Sequence, residues 1–436
     1  MENQAGSVRM IPENCVGCND CIKRCPTQAI RVRNGRAFVI PERCVDCGMC
    51  VKVCKNGAKA AATQDLSIIG GYKYKIAVPA PSLYGQFRGI YDVNVILTAL
   101  KALGFDEVIE VAAAAETVSR FSAKLIKNDP PAKPLISSAC PVVVKLIAMR
   151  FPDLVRNILP VISPAEAAAV MAREHFVKLG HKKEEIGVFF ISPCAAKHSD
   201  AFAPFGVTGS SVDGVIAIAD IYSALLNKIH AMDASDLETL ALCTEKGVFW
   251  AISGGECDGL GLNAIAADGI ENVINVLEDV ENGRLDETDF IECLCCAGGC
   301  IGGPLNVVSS FVARSNLNVL EKSMVRYERR YISELELDPS VIELKLGSVA
   351  KAEPLALDAD VSYALLKLEK MNEIISGLPG IDCGACGSPT CAALAEDVVK
   401  GEAEAGDCVF MLKNRVKRLA LEVSELASKS PGAEGR

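Results

Sequence analysis

Two copies of one cysteine pattern restrict what this chain can fold into more than any other feature. Cys15, Cys18, Cys21 and Cys25 follow C-x-x-C-x-x-C-x-x-x-C, and Cys44, Cys47, Cys50 and Cys54 repeat it 29 residues later. Three thiolates this close together can wrap three irons of a 4Fe-4S cubane, with the fourth iron reached from the other repeat. One cluster then takes Cys15, Cys18, Cys21 and Cys54, and the other Cys44, Cys47, Cys50 and Cys25. The segment AIRVRNGRAFVI joins the copies, and its Asn34-Gly35 dipeptide predicts a hairpin turn. The full chain holds 20 cysteines against 4 histidines. The start shows no signal-peptide core, so a cytoplasmic location is expected, where thiols stay reduced and metal ligation replaces disulfides. Zinc sites would mix in histidine and use widely separated pairs, unlike this spacing.

At 436 residues the chain exceeds what one hydrophobic core usually supports. Three parts are expected: 1–66 around the repeated cysteines, 72–345, and 360–436. Short apolar strands alternate with helices from residue 72: KIAVPAPS, NVILTALKAL, DEVIEVA, then a helix from Glu116 to Lys127. That alternation predicts an α/β core with mainly parallel sheets. PLISSAC and IGVFFISPC each deliver a cysteine, Cys140 and Cys194, at the carboxyl end of a strand, where ligands bind in open α/β sheets. An Arg/Glu-rich helix around Tyr327 precedes a weakly periodic segment, ELKLGSVAKAEPLALDAD. The net charge of −10 argues against binding nucleic acid or anionic lipid, and no apolar run is long enough to span a membrane.

The third part holds Cys383, Cys386, Cys391 and Cys408, with Gly384 and Gly387 letting the backbone approach a cluster. It is expected to be a small, mostly helical module with a third cluster. The closing helix carries Val409, Leu412, Val416, Leu419, Val423 and Leu426 at steps of three and four. This stripe either packs on its own domain or forms a homodimer contact.

The first 66 residues resemble bacterial two-cluster ferredoxins, with Lys55 where a proline usually closes the second copy. The C-terminal set resembles a small iron-sulfur domain of corrinoid-linked and electron-bifurcating proteins. Between them, three segments resemble the signatures of the FeFe-hydrogenase (iron-only hydrogenase) family. The first reads Ser137, Ser138, Ala139, Cys140, Pro141. The second reads Ser192, Pro193, Cys194 and then Lys197. The third reads Glu292, Cys293, Leu294, Cys295, Cys296, Gly299, Cys300, Gly302, Gly303.

The resemblance implies a two-lobed H-cluster domain, in which Cys140, Cys194, Cys296 and Cys300 hold a 4Fe-4S cubane. Cys300 then bridges to a diiron subsite carrying CO, CN and an azadithiolate. Lys197 would meet one cyanide, and Ala80, Pro81 and Ser82 would cradle the other. Gly298, Gly299, Gly302 and Gly303 would leave room for the cofactor, and Ser192 and Leu294 replace methionines that pack against it. H2 and protons become the substrates, ferredoxin or another redox protein the electron partner, and maturation proteins the source of the diiron subsite.

One departure matters most: Ala139 stands where the family carries its proton-handling thiol, and AAAAETVSRFSAKL keeps only Glu116 of the acidic relay. A slow, reversible hydrogenase of the sensory subgroup is therefore expected. The alternatives are a bulk-turnover, ferredoxin-linked hydrogenase and a non-catalytic iron-sulfur carrier lacking the diiron subsite. Glu256, Glu292 and Cys257 are candidates for a rerouted relay, and His198 is a weaker one. Cys243, Cys257, Cys293 and Cys295 otherwise read as small buried hydrophobes, and His175, His181 and His230 as surface residues.

Overall fold

A computed structural model describes residues 6–128, 130–204, 209–324, 342–344 and 357–429. The expected helix around Tyr327 and most of the weakly periodic segment after it lie outside the described residues. The chain divides into two compact units, one of Met1–Arg9, Val45–Lys52 and Ala60–Ala352, the other of Met10–Cys44, Val53–Lys59 and Glu353–Arg436. The whole first cysteine repeat thus falls in the second unit with the C-terminal module, while the second repeat is divided, Cys47 and Cys50 in the first unit and Cys44 and Cys54 in the second.

The first unit is built on two parallel sheets. Strands β1 (Tyr74–Pro79), β2 (Glu107–Val108), β4 (Ile186–Ser192) and β5 (Gly214–Ala217) form one, in the order β2-β1-β4-β5. Strands β3 (Leu135–Ile136), β6 (Ala264–Asp268) and β7 (Phe290–Leu294) form the other, in the order β6-β7-β3. Every residue of β4 is buried, as expected for parallel strands covered on both faces. Helices α1 (Val111–Asn128), α2 (Pro141–Arg150) and α3 (Pro164–Lys178) supply part of that cover. The α/β core with mainly parallel sheets is as the alternating pattern predicted.

DEVIEVA keeps only two strand residues, and α1 starts at Val111 rather than Glu116. The run of four alanines explains the shift, because alanine is the strongest helix former and Val111, Ala112, Ala114 and Ala115 all find buried positions. Residues 45–52 are held to this unit by Asp46. Its buried carboxylate accepts from Ser7 N at 2.8 Å and pairs with Lys145 Nζ at 2.8 Å.

In the second unit the predicted hairpin forms, Ile30–Arg33 pairing antiparallel with Arg36–Val39. It also engages the C-terminal module. Val32 N donates to Gly387 O at 2.8 Å, and Arg31, 1% exposed, pairs with Asp397 at 2.6 Å. Arg33 reaches the same carboxylate at 2.6 Å, and Ser388 Oγ donates to it at 2.8 Å. Gly387 has φ +82°, and a Cβ there would lie 1.9 Å from Val32 O. No other residue fits so close a backbone approach.

Candidate functional site

Loops that follow strands converge on one cavity in the first unit. After β3 comes Cys140, the N-cap of α2, with Pro141 at the first helical position. After β4 come Pro193 and Cys194, then the short helix α4 (Ala196–Phe202) bearing Lys197. After β7 come Cys296 and Cys300, and after β1 the turn Ala80-Pro81. All of these line the cavity, together with Ala139, Leu294, Gly299 and Gly303. The sequence therefore brings Cys140, Cys194, Cys296 and Cys300 to one wall-to-wall space from positions up to 160 residues apart.

The donor set fits an iron-sulfur group. Burial raises the thiol pKa of Cys140, Cys194 and Cys300, so these sulfurs ionise only against a positive centre. Ser82 does not line the cavity itself but follows the lining Pro81; it is fully buried in the turn after β1, and its Oγ has no hydrogen-bond partner. Lys197 lies against the cavity with its ammonium held by Ser163 Oγ at 2.9 Å and Asp200 Oδ2 at 2.8 Å. Burial lowers its pKa, but Asp200 and the neighbouring Cys194 and Cys140 outweigh that and the net shift is upward. Among the described residues, no three His, Cys, Asp or Glu side chains are gathered tightly enough for a single metal ion.

Several expectations change at this site. Ser192 does not line the cavity; its hydroxyl accepts from Cys194 N and donates to Cys194 O, both at 3.0 Å, shaping the turn that carries the cysteine. The glycines of the third signature are required by backbone crowding more than by cofactor space. A Cβ on Gly302 would lie 2.1 Å from Ala297 O, and one on Gly303 2.4 Å from Pro193 O. His198 is outside the cavity, with its ring against Phe202 and its pKa lowered by burial. His175 and His181 are half-buried rather than on the surface, and the His181 ring lies 4.0 Å from Tyr74. Only His230 is exposed.

Behind Ala139 lies an acidic pair. Ala139 N donates to Ser137 Oγ at 3.3 Å, and that hydroxyl donates to Glu256 Oε2 at 2.6 Å. Burial and the nearby Glu292 charge push the Glu256 carboxyl up to about 8, against the opposing Ser137 bond. Glu292 accepts the N–H groups of Gly254, Glu256 and Cys257, each at 3.0 Å. Its own pKa is raised by burial, which these bonds only partly offset. Cys257 is half-buried beside it, and its thiol donates to Ile265 O at 3.4 Å.

The remaining cysteines are not all inert. Cys293 is simply buried in the core. Cys243 donates to Glu110 at 3.2 Å. Cys295 lines the cavity with Cys47 and Cys296, within hydrogen-bonding reach of both. Nothing in the spacing of CLCC distinguishes Cys295 from Cys293, and sequence reasoning missed it.

In the second unit, backbone N–H groups point at repeat cysteines: Ala37 N at Cys15 Sγ (3.3 Å), Ala29 N at Cys25 Sγ (3.1 Å) and Ala58 N at Cys54 Sγ (3.2 Å). Cys383, Cys386, Cys391 and Cys408 line one small cavity with Gly384.

A parallel α/β core whose strand ends deliver four cysteines to one cavity, beside further cysteine modules, defines an iron-sulfur protein. The chain belongs to the family of the iron-only hydrogenase large subunit, C-terminal domain, which matches residues 73–261 and 256–304. A 4Fe-4S dicluster domain matches residues 7–55, and an Fe-S cluster family matches 378–410. The chain is similar to the NADP-reducing hydrogenase subunit HndD of Solidesulfovibrio fructosivorans, 26% identical over 66% of this chain and 55% of that protein. It is also similar to iron hydrogenase 1 of Clostridium pasteurianum, 23% identical over 53% of this chain and 50% of that one. The chain thus spans about half the length of these curated relatives. Among solved structures, FeFe-hydrogenase HydA1 from Chlamydomonas reinhardtii has a TM-score of 0.45 at 17% identity, covering 59% of this chain and 86% of that one. No helix among the described residues is long and apolar enough to cross a membrane.

Proposed function

We propose that the cavity holds an H-cluster and that the chain is a slow, reversible hydrogenase suited to sensing hydrogen or redox state. The observation that carries this reading is the convergence of four signature cysteines on one mostly apolar space lined also by Lys197, with the orphaned Ser82 hydroxyl one residue beyond the lining Pro81. Cys140, Cys194, Cys296 and Cys300 would hold the cubane, and Lys197 and Ser82 the diiron ligands. When bound, the group supplies the heterolytic splitting and formation of H2.

The chain's own residues set the pace. The Lys197 ammonium, charged and fixed between Ser163 and Asp200, offers a charge-assisted bond to an anionic ligand in the cavity. Ala139 offers no proton. Ser137 Oγ and Glu256 Oε2 are the nearest proton-bearing pair behind it, and Glu256 keeps its proton near neutral pH. Glu292 and the half-buried Cys257 extend that pair toward the outside. Electrons would enter by the Cys47 loop, whose contact with Cys295 and Cys296 sits on the same cavity wall. Three accessory clusters would complete the wiring, with ferredoxin or another redox protein outside and maturation proteins installing the diiron subsite.

Turnover of the matured full-length chain in both directions tests the proposal. Slow oxidation of H2 and slow reduction of protons are expected. Activity at the level of thiol-bearing family members would overturn the sensory reading, and none in either direction at full metal content would favour a non-catalytic carrier.

A further inference from the structure

The closing helix, α5 (Val409–Lys429), has no covering surface among the described residues. From Leu412 to Ser428 every side chain is exposed, and the stripe includes Val416 at 56%, Leu419 at 50%, Val423 at 64% and Leu426 at 68%. Packing within the chain, one of the two readings of this stripe, is therefore absent from the described structure. Helical stability in proteins comes mainly from packing an apolar face, so something must bury this one.

The stripe specifies what. Val409, Leu412, Val416, Leu419, Val423 and Leu426 repeat every seven residues as positions a and d, a seam with period 3.5 rather than the wider face of a globular helix. Every a position is β-branched valine and every d position is leucine, the combination that favours two-stranded coiled coils. A seam of this kind accepts another helix of the same kind, and the nearest source is a second copy of this chain.

We propose that α5 pairs antiparallel with α5 of a second copy. Direction follows from the flanking charges. In an antiparallel pair, g positions face g positions, so Arg415 meets the partner's Glu422 and the two-fold axis makes this contact twice. Of the e positions, Lys413 faces the partner's small, uncharged Ala420 and Ala427 is also small and uncharged, leaving that side free of repulsion. In a parallel pair Arg415 and Glu422 would each face alanine and neither charge would find a partner. Val409, Leu412 and Val416 then layer against the partner's Leu426, Val423 and Leu419.

Sedimentation of the cluster-loaded, full-length chain over a range of concentrations tests this. A reversible dimer is expected. Leu419→Asp should give a monomer with unchanged iron content, and Arg415→Glu should weaken the dimer about tenfold, two exposed pairs being replaced by two repulsions. The double variant Arg415→Glu/Glu422→Arg should restore it. A monomeric wild-type chain at tens of micromolar, or a dimer indifferent to Leu419→Asp, overturns the proposal. A dimer that Leu419→Asp dissociates but the charge swap fails to restore overturns the antiparallel arrangement.

Discussion

Glu110, just past β2, and Glu256, in the short helix Gly255–Leu260, are both buried glutamates of the first unit, yet their surroundings prepare them for opposite tasks. Glu110 is 0% exposed and accepts four bonds, from Tyr84 OH at 2.6 Å, Cys243 Sγ at 3.2 Å, Cys243 N at 3.1 Å and Leu242 N. A carboxylate so supplied with donors is a fastener. It ties the helical turn after Ala80 to the segment around residue 243, and so steadies one wall of the cavity. Glu256 has one hydroxyl partner and a second carboxyl group, Glu292, in place of donors. Two buried acids with no cation between them do not both ionise, so a proton stays on the pair near neutral pH.

The largest expected effect breaks the contrast at Glu256. If this carboxyl passes the proton that Ala139 cannot, Glu256→Gln should cut turnover by about 10²–10⁴-fold, the usual worth of a positioned proton-transfer group. The wild-type pH–rate profile should bend near pH 8, where Glu256 gives up its proton, and the variant should lose that bend. The sign for stability follows from the same shift. The folded-state pKa lies above the ordinary 4.5, so this group's contribution is fully present below about 4.5 and is lost as pH rises through about 8. Denaturation curves of Glu256→Gln across that window should show a shallower pH slope than wild type.

The second unit has a buried carboxylate of its own. Asp397 is paired with Arg31 and Arg33, and Asp397→Ala would leave the Arg31 guanidinium buried and uncompensated. Breaking such a pair costs about 3–5 kcal/mol. Loss of cooperative unfolding in the second unit, with the Cys15 and Cys386 regions both loosened in hydrogen exchange, is the expected readout. Removing the C-terminal module altogether should do the same to the N-terminal hairpin.

Glu110→Gln should be milder, costing about 1–3 kcal/mol for donors left poorly matched. It should not move the bend near pH 8, and a variant that did would place Glu110 in the proton route. The smallest expected effect is a gain. Ala139→Cys puts a thiol on the cavity wall beside Ser137, and turnover should rise less than the full worth of a relay, because the onward acids of the family are still missing. Unchanged turnover at full metal occupancy would move the limitation to electron delivery.

The cysteine sets were legible because their chemistry lives in short spacing, and the parallel core because apolar strands alternate with helices. Cys140 and Cys194 could be placed past strand ends for the same reason. What escaped is long-range. Ser137, Glu256 and Glu292 meet only after the second sheet forms, and no local pattern announces that Glu256 will face another carboxyl. The pairing of Arg31 with Asp397 spans 366 residues, and no local pattern links the two. The early start of α1 shows a local error, alanine propensity overriding a strand-like pattern. Ser192 shows another, because a hydroxyl that bonds its own turn looks in sequence like one that faces a ligand.

The proposed function requires a diiron site in the cavity between the three signature loops. Infrared spectra of the full-length chain after maturation test it most directly, since metal-bound carbonyl and cyanide stretches fall where protein does not absorb. Those bands are expected in wild type, with the cyanide bands displaced in Ser82→Ala. Their absence from a chain whose iron-sulfur clusters are fully assembled would contradict the account.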